Sequence, residues 1–268
     1  MANFFSCGTI KKASLILKAQ KGIYLPMSHQ KIAFSILITY VLMQLSGAVG
    51  PIPLVFLFDR LGYADPEMQA VGWWIFSSML AAVVIFFYFI RKDKTFLKPL
   101  GPKPSSTAGV IGWGIVGFFM VLFGQALAAG IEQLIGIEPG SENTALFIKI
   151  AKSVPVVVFA IAIFAPILEE ILFRRILFGM LLPKTNFFIA ALISSVMFGI
   201  IHFEMSHILL YSVSGFIFAF IYYKTKRIAA SILAHMLLNG FVVLVQFFAE
   251  DLQKFAERYG QVFITFFN

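Results

Sequence analysis

The chain has one cysteine in 268 residues, Cys7. That excludes an intramolecular disulfide and any metal site built from several cysteines. Charge is scarce too, with 13% of residues Asp, Glu, Lys or Arg. No His-Glu-x-x-His occurs, so the helical zinc-protease motif is missing, and His202-Phe-Glu204 has the wrong spacing to replace it. No glycine-rich loop of the phosphate-cradling kind is present. No basic tract interleaves with aromatics on a polar face, so the net charge of +8 is a topology signal rather than a nucleic-acid footprint. No cleavable signal peptide is expected. The first 31 residues hold five lysines and no acid, and the first long apolar run, from about Ile32, is too long for a signal core.

What is present is apolar bulk. Hydrophobic residues make up 60% of the chain, phenylalanine alone numbers 32, and the mean hydropathy is +0.90. A soluble domain has no need of so much apolar surface. Runs of near-spanning length fall at 32–58, 71–90, 107–131, 154–182, 187–203, 208–223 and 228–248. They predict an all-α polytopic transmembrane bundle of about seven spans. The first run contains Gly50-Pro51-Ile52-Pro53 and is expected to kink or stop there. Four parts follow: a basic segment 1–31, with an amphipathic pattern between residues 9 and 21 that suits an interfacial helix; N-terminal spans in 32–153; a four-helix core in 154–249 holding the polar oddities; and a tail, 250–268. Sixteen of the 21 lysines and arginines fall on the aqueous segments that share a side with the N-terminus. This puts the N-terminus in the cytoplasm and the C-terminus outside. Lysine outnumbers arginine strongly, a composition that fits an AT-rich bacterial genome and hence a bacterial plasma membrane.

The informative polar residues lie inside these runs. Glu169 and Glu170 are adjacent, with Arg174 one turn on. Each charge at the centre of a lipid-embedded helix costs roughly 2.5–3.5 kcal/mol, so the default reading of the cluster is a functional site. His202 closes the fifth run, and His235 and Asn239 share one face of the seventh at i and i+4. Glu169 and His202 each lie about 21–24 Å of helix from the turn at 183–186, so an antiparallel hairpin sets them level. Glu169, His202, His235 and Asn239 are then expected to line one cavity open toward the cytoplasm. Two neighbouring carboxylates in low dielectric do not both ionise cheaply. One of them suits a general base, a histidine can share the proton of an attacking water, and a second histidine with an asparagine amide suits an oxyanion. Arg174 offsets the desolvation. Together they describe peptide hydrolysis without a covalent intermediate.

Other readings compete. Glu169, Glu170, His202 and His235 could bind a divalent ion such as zinc by ligand type, although no metal is the preferred reading. Ser214 with His235 as base would resemble a rhomboid-like arrangement. Paired acids and histidines also build proton relays in transporters. His207 is expected at the exposed rim, Arg175 among lipid headgroups, and Phe198 in packing.

Glu169-Glu170-x-x-x-Arg174, Phe198-x-x-x-His202 and His235-x-x-x-Asn239, in this order, resemble the three motifs of the CAAX-protease and bacteriocin-processing (Abi) family of membrane proteins. The likeness covers about residues 154–245. It implies a helical intramembrane endopeptidase in which Glu169 activates water with His202, His235 and Asn239 stabilise the oxyanion, and Glu170 and Arg174 support them. It implies a peptide or membrane-protein substrate within the lipid bilayer. It also leaves open a non-catalytic scaffold or bacteriocin-immunity role on the same fold, or a metal-dependent protease.

Overall fold

The computed structural model describes residues 27–138 and 140–249, with Asp251 and Lys254. The expected amphipathic segment at 9–21 and most of the tail lie outside the described residues. Among the described residues every regular element is helical: α1 (Met27–Ser46), α2 (Pro51–Arg60), α3 (Pro66–Arg91), α4 (Thr107–Leu134), α5 (Glu142–Ser153), α6 (157–181), α7 (Phe187–Ile200), α8 (Ile208–Thr225) and α9 (Ile228–Phe247).

Their starts are written in the sequence. Asp65, Ser106, Ser141 and Asn186 each accept the backbone N–H three residues on, capping α3, α4, α5 and α7. The expected break in the first run occurs at residues 47–50, and α1 and α2 meet at a bend of 43°. Gly50 is required there by contact: a Cβ would come within 1.9 Å of the Trp74 ring. The segment 132–153, which lies between two of the apolar runs, contains α5.

By length and apolar composition α3, α4, α8 with its preceding turn, and α9 can each cross a membrane, and the bent α1–α2 pair adds a fifth crossing if it is one broken span rather than a re-entrant loop. The count of about seven is not confirmed. Of the two other candidates, α6 carries Glu169, Glu170, Arg174 and Arg175 in its length. α7 has 14 residues, about 21 Å of helix against a hydrocarbon layer of about 30 Å.

α4 packs antiparallel to α8 and parallel to α9. Small residues permit the approach: Gly114 faces Leu233, Gly117 faces Ile221 and Ala234, and Gly124 faces Ile217. One buried cluster joins Ile36 and Tyr40 of α1, Phe86 of α3, Phe173 of α6, Phe198 of α7, Phe218 of α8 and Ala234 of α9. The segment 92–106 is tied back to this bundle. Leu100 N–H donates to Lys226 O at 2.9 Å, and Ser105 N–H to Thr225 O at 3.0 Å. His29 at the foot of α1 meets Asp93 Oδ2 at 2.9 Å. Arg175, expected in headgroups, instead donates to Phe96 O and to the Tyr222 hydroxyl.

Candidate active site

The site begins with an irregular helix. In α6 the backbone widens to i→i−5 bonding over Ala160–Phe164 and again over Ile171–Phe178, with a normal α segment, Ala165–Glu170, between them. Such π segments cluster at functional sites. The first has a visible cause. Ala165 N–H reaches back to Ala160 O, and Pro166 has no N–H to give. The Ile161 carbonyl thus loses its donor in either register. Asn239 of α9 supplies one: its Nδ2 donates to Ile161 O at 3.0 Å. The asparagine expected as an oxyanion donor therefore spends one N–H on the helix that bears the glutamates and keeps one.

The two glutamates diverge from adjacent positions. Glu169 lines a hollow of about 620 Å³ together with His202, Asn239, Tyr211 and Gln125. Glu170 lies behind that wall, fully buried. His235 joins them: its Nδ1 is 3.1 Å from Glu170 Oε1 and its Nε2 is 3.7 Å from Glu169 Oε2. The His235 ring stacks on Phe218 at 4.5 Å between centroids. Arg174 Nε stands 3.4 Å from Glu170 Oε2, while Nη2 donates to Gly215 O at 3.2 Å. Nε, Nη1 and Glu170 Oε2 have no aligned hydrogen-bond partner among the described residues. The charge is balanced by proximity and by aromatic faces: the guanidinium lies 4.4 Å from the Phe198 centroid and 5.3 Å from that of Phe218. Phe198, expected only to pack, holds the cation and also meets His202 and His235.

His202 follows the end of α7. Its Nδ1 is 2.8 Å from Phe198 O. A carbonyl only accepts, so Nδ1 carries the proton of the neutral ring and Nε2 is left as an acceptor. The ring stacks on Tyr211 at 4.0 Å and 22°. Tyr211 is itself anchored, its hydroxyl donating to Glu204 Oε2 at 2.6 Å. Glu204 also accepts from Ser141 Oγ at 2.8 Å and Asn143 N–H at 2.7 Å. Partial burial pushes the Glu204 carboxyl up, but these three donors hold it below the usual carboxylate range. His207 is not the free rim residue expected. Its Nδ1 meets Glu132 Oε2 at 2.8 Å, and Glu132 Oε1 caps the start of α8 through Leu210 N–H.

All six residues singled out for the site thus belong to one neighbourhood. Glu169, His202 and Asn239 reach the hollow. His235 bridges the carboxylates beneath it, and Glu170 and Arg174 form its buried floor. One expectation is corrected. The hollow does not open toward the basic turns. It is lined by residues of 140–148, 201–211 and 238–246, at the end of the bundle opposite 92–106, 183–186 and 226–227. Between Glu170 and those turns the interior is filled by Phe173, Ile176, Phe178, Ala190, Ala191 and Tyr222. Helix arithmetic gave depth along the hairpin but not the side on which side chains leave room.

The zinc set does not assemble. Among the described residues no three His, Cys, Asp or Glu side chains converge as ligands, and both His235 nitrogens face carboxylates. The serine alternative fails as well. Ser214 donates to Leu210 O and accepts from Gln125, with neither His235 nitrogen turned to it. Of the supporting residues that motif spacing missed, Glu132 and Glu204 had one signal, an acid at the end of an apolar run, where a buried cap or clamp is needed; Tyr211 and Gln125, inside such runs, had none.

The family model described as Type II CAAX prenyl endopeptidase Rce1-like matches residues 151–241. The Bacillus subtilis protein named "Putative membrane peptidase YdiL" is 41% identical over 227 residues, which is 83% of this chain and 91% of that protein. The membrane-embedded CAAX protease MroQ of Staphylococcus aureus is 36% identical over 197 residues, 70% of this chain and 79% of its own. No solved structure matches. With apolar helices of spanning length, a family-model match over residues 151–241 and a relative 41% identical over 83% of its length, the chain belongs to the Rce1-like CAAX protease family and is an integral membrane peptidase.

Proposed function

We propose that the protein is an intramembrane endopeptidase in which Glu169 activates the attacking water. One observation carries this: of the adjacent glutamates, only Glu169 borders the hollow, and it does so beside His202 and Asn239. The Glu169 carboxylate takes a proton from water, and the oxygen adds to the scissile carbonyl carbon. The oxyanion that forms accepts the free N–H of Asn239. His202, with Nε2 open as an acceptor, orients the water. When the C–N bond breaks, Glu169 returns its proton to the departing amine. Glu170, paired with Arg174, holds His235 by Nδ1 and keeps its other nitrogen aimed at Glu169. No step needs a metal ion, and substrate is a peptide or membrane protein presented within the bilayer.

The charge pattern supports a bacterial plasma membrane with the N-terminus in the cytoplasm. The test is a comparison of membrane peptides from cells carrying wild type, Glu169→Ala or His202→Ala protein at equal abundance. Loss of specific products in both variants is expected. Full biological activity in both would favour a non-catalytic scaffold or immunity role. A chelator titration of purified protein tests the metal question, and loss of activity restored by zinc would overturn the metal-free reading.

A further inference from the structure

The two ends of the bundle differ in charge and in packing, and the two differences coincide. One end carries Lys94, Lys98, Lys184 and Lys226 in short turns, with Lys224 in the last turn of α8. Asp93 is its one acid among the described residues. The other end carries Asp65, Glu67, Glu132, Glu142 and Glu204, with few bases. Short basic loops stay in the cytoplasm. The interior is closed at the basic end by Phe178, Ala190, Ala191 and Tyr222. The hollow that Glu169 and His202 line is at the acidic end, among Ser141, Asn143, Thr144, Tyr211 and Gln246. These lining groups are polar and uncharged, suited to hydrogen-bonding an unwound backbone.

Helix lengths agree. α7 ends after 14 residues counted from the basic turn, about 21 Å into a layer of about 30 Å. His202 and the turn after it therefore sit below the far membrane surface, roofed by the 140–144 segment that Glu204 clamps. α6, by contrast, runs on past the level of Glu169 on both sides.

We infer that the hollow is served from the extracytoplasmic half of the bilayer, and that its substrates are polypeptide segments already translocated to that side: exported peptides still anchored in the membrane, or the outer ends of membrane spans. This rests on the peptidase reading of the hollow and names where its substrates must be.

Sidedness is measured by thiol labelling, for which the single cysteine is an advantage. In a Cys7→Ser background, Glu142→Cys marks the hollow end and Lys98→Cys the basic end, both at exposed positions. A membrane-impermeant maleimide should label Glu142→Cys in intact cells, and Lys98→Cys only after permeabilisation. The reverse pattern, or equal labelling of both in intact cells, overturns the inference. Glu169-dependent peptide ends are then mapped on the same cells. Ends clustered on the extracytoplasmic side support it. Ends clustered on cytoplasmic flanks overturn it while leaving the peptidase reading intact. Labelling as expected with no Glu169-dependent ends removes the peptidase reading and leaves the sidedness of the hollow standing.

Discussion

The basic half of the bundle and the acidic half are built from the same helices and solve different problems. The basic half is a packed interior: aromatic rings against alanines, and a loop whose backbone is stitched to Thr225 and Lys226. The acidic half keeps space open, and its polar groups are tethered singly, by a cap here and a carboxylate clamp there. The glutamate pair sits at the boundary. Glu169 belongs to the open half and Glu170 to the packed one, although they are sequence neighbours. A helix turns about 100° per residue, and that step divides a reactive carboxylate from a structural one.

The sharpest way to break the comparison is to swap the roles. Glu169→Gln should lower peptide cleavage by a factor on the order of 10²–10⁴ while leaving thermal stability near that of wild type, because its side chain borders space. Rate and melting temperature on one purified preparation separate the two. Arg174→Ala should do the opposite. It strands Glu170 fully buried, and breaking a buried pair costs about 3–5 kcal/mol, read as loss of folded protein in detergent. Adding Glu170→Gln to Arg174→Ala should recover much of that loss, because no bare charge remains.

A smaller effect tests the proline–asparagine exchange. Asn239→Ala leaves Ile161 O without its donor, for a cost of about 1–3 kcal/mol. In a Pro166→Ala background that cost should shrink, since the alanine N–H can serve the same carbonyl. A double-mutant cycle measures the coupling, and strict additivity would refute the account. The smallest effect concerns the clamp. Glu204 is held below the ordinary carboxylate range, so its contribution is present above the unfolded value and is lost as pH falls through the lower folded one. Tyr211→Phe removes one of three donors and should move that loss toward higher pH in a melting-temperature profile. An unchanged profile would mean that the hydroxyl bond does not contribute.

Much of this was legible because membranes make polarity conspicuous. In a chain with 32 phenylalanines, two glutamates, two histidines and an asparagine at helical spacing stand out, and their convergence follows from antiparallel packing. The π register of α6 was not legible. Pro166 signals a disturbed ladder, but whether the helix kinks or widens depends on what Asn239 offers from another span. The side of the hollow was hidden for a related reason: hydropathy records where a helix is greasy, not which end its neighbours fill. The Glu132–His207 pair, 75 residues apart, had no local pattern to announce it.

The abbreviated α7 carries a final consequence. A helix shorter than the hydrocarbon layer is accommodated by bilayer thinning, by snorkelling of flanking residues or by association with neighbours. Hydrolysis inside a membrane needs a route for its second reactant. Here about two turns of helix are left out, and so short an apolar stretch favours a locally thinner bilayer beside the histidine.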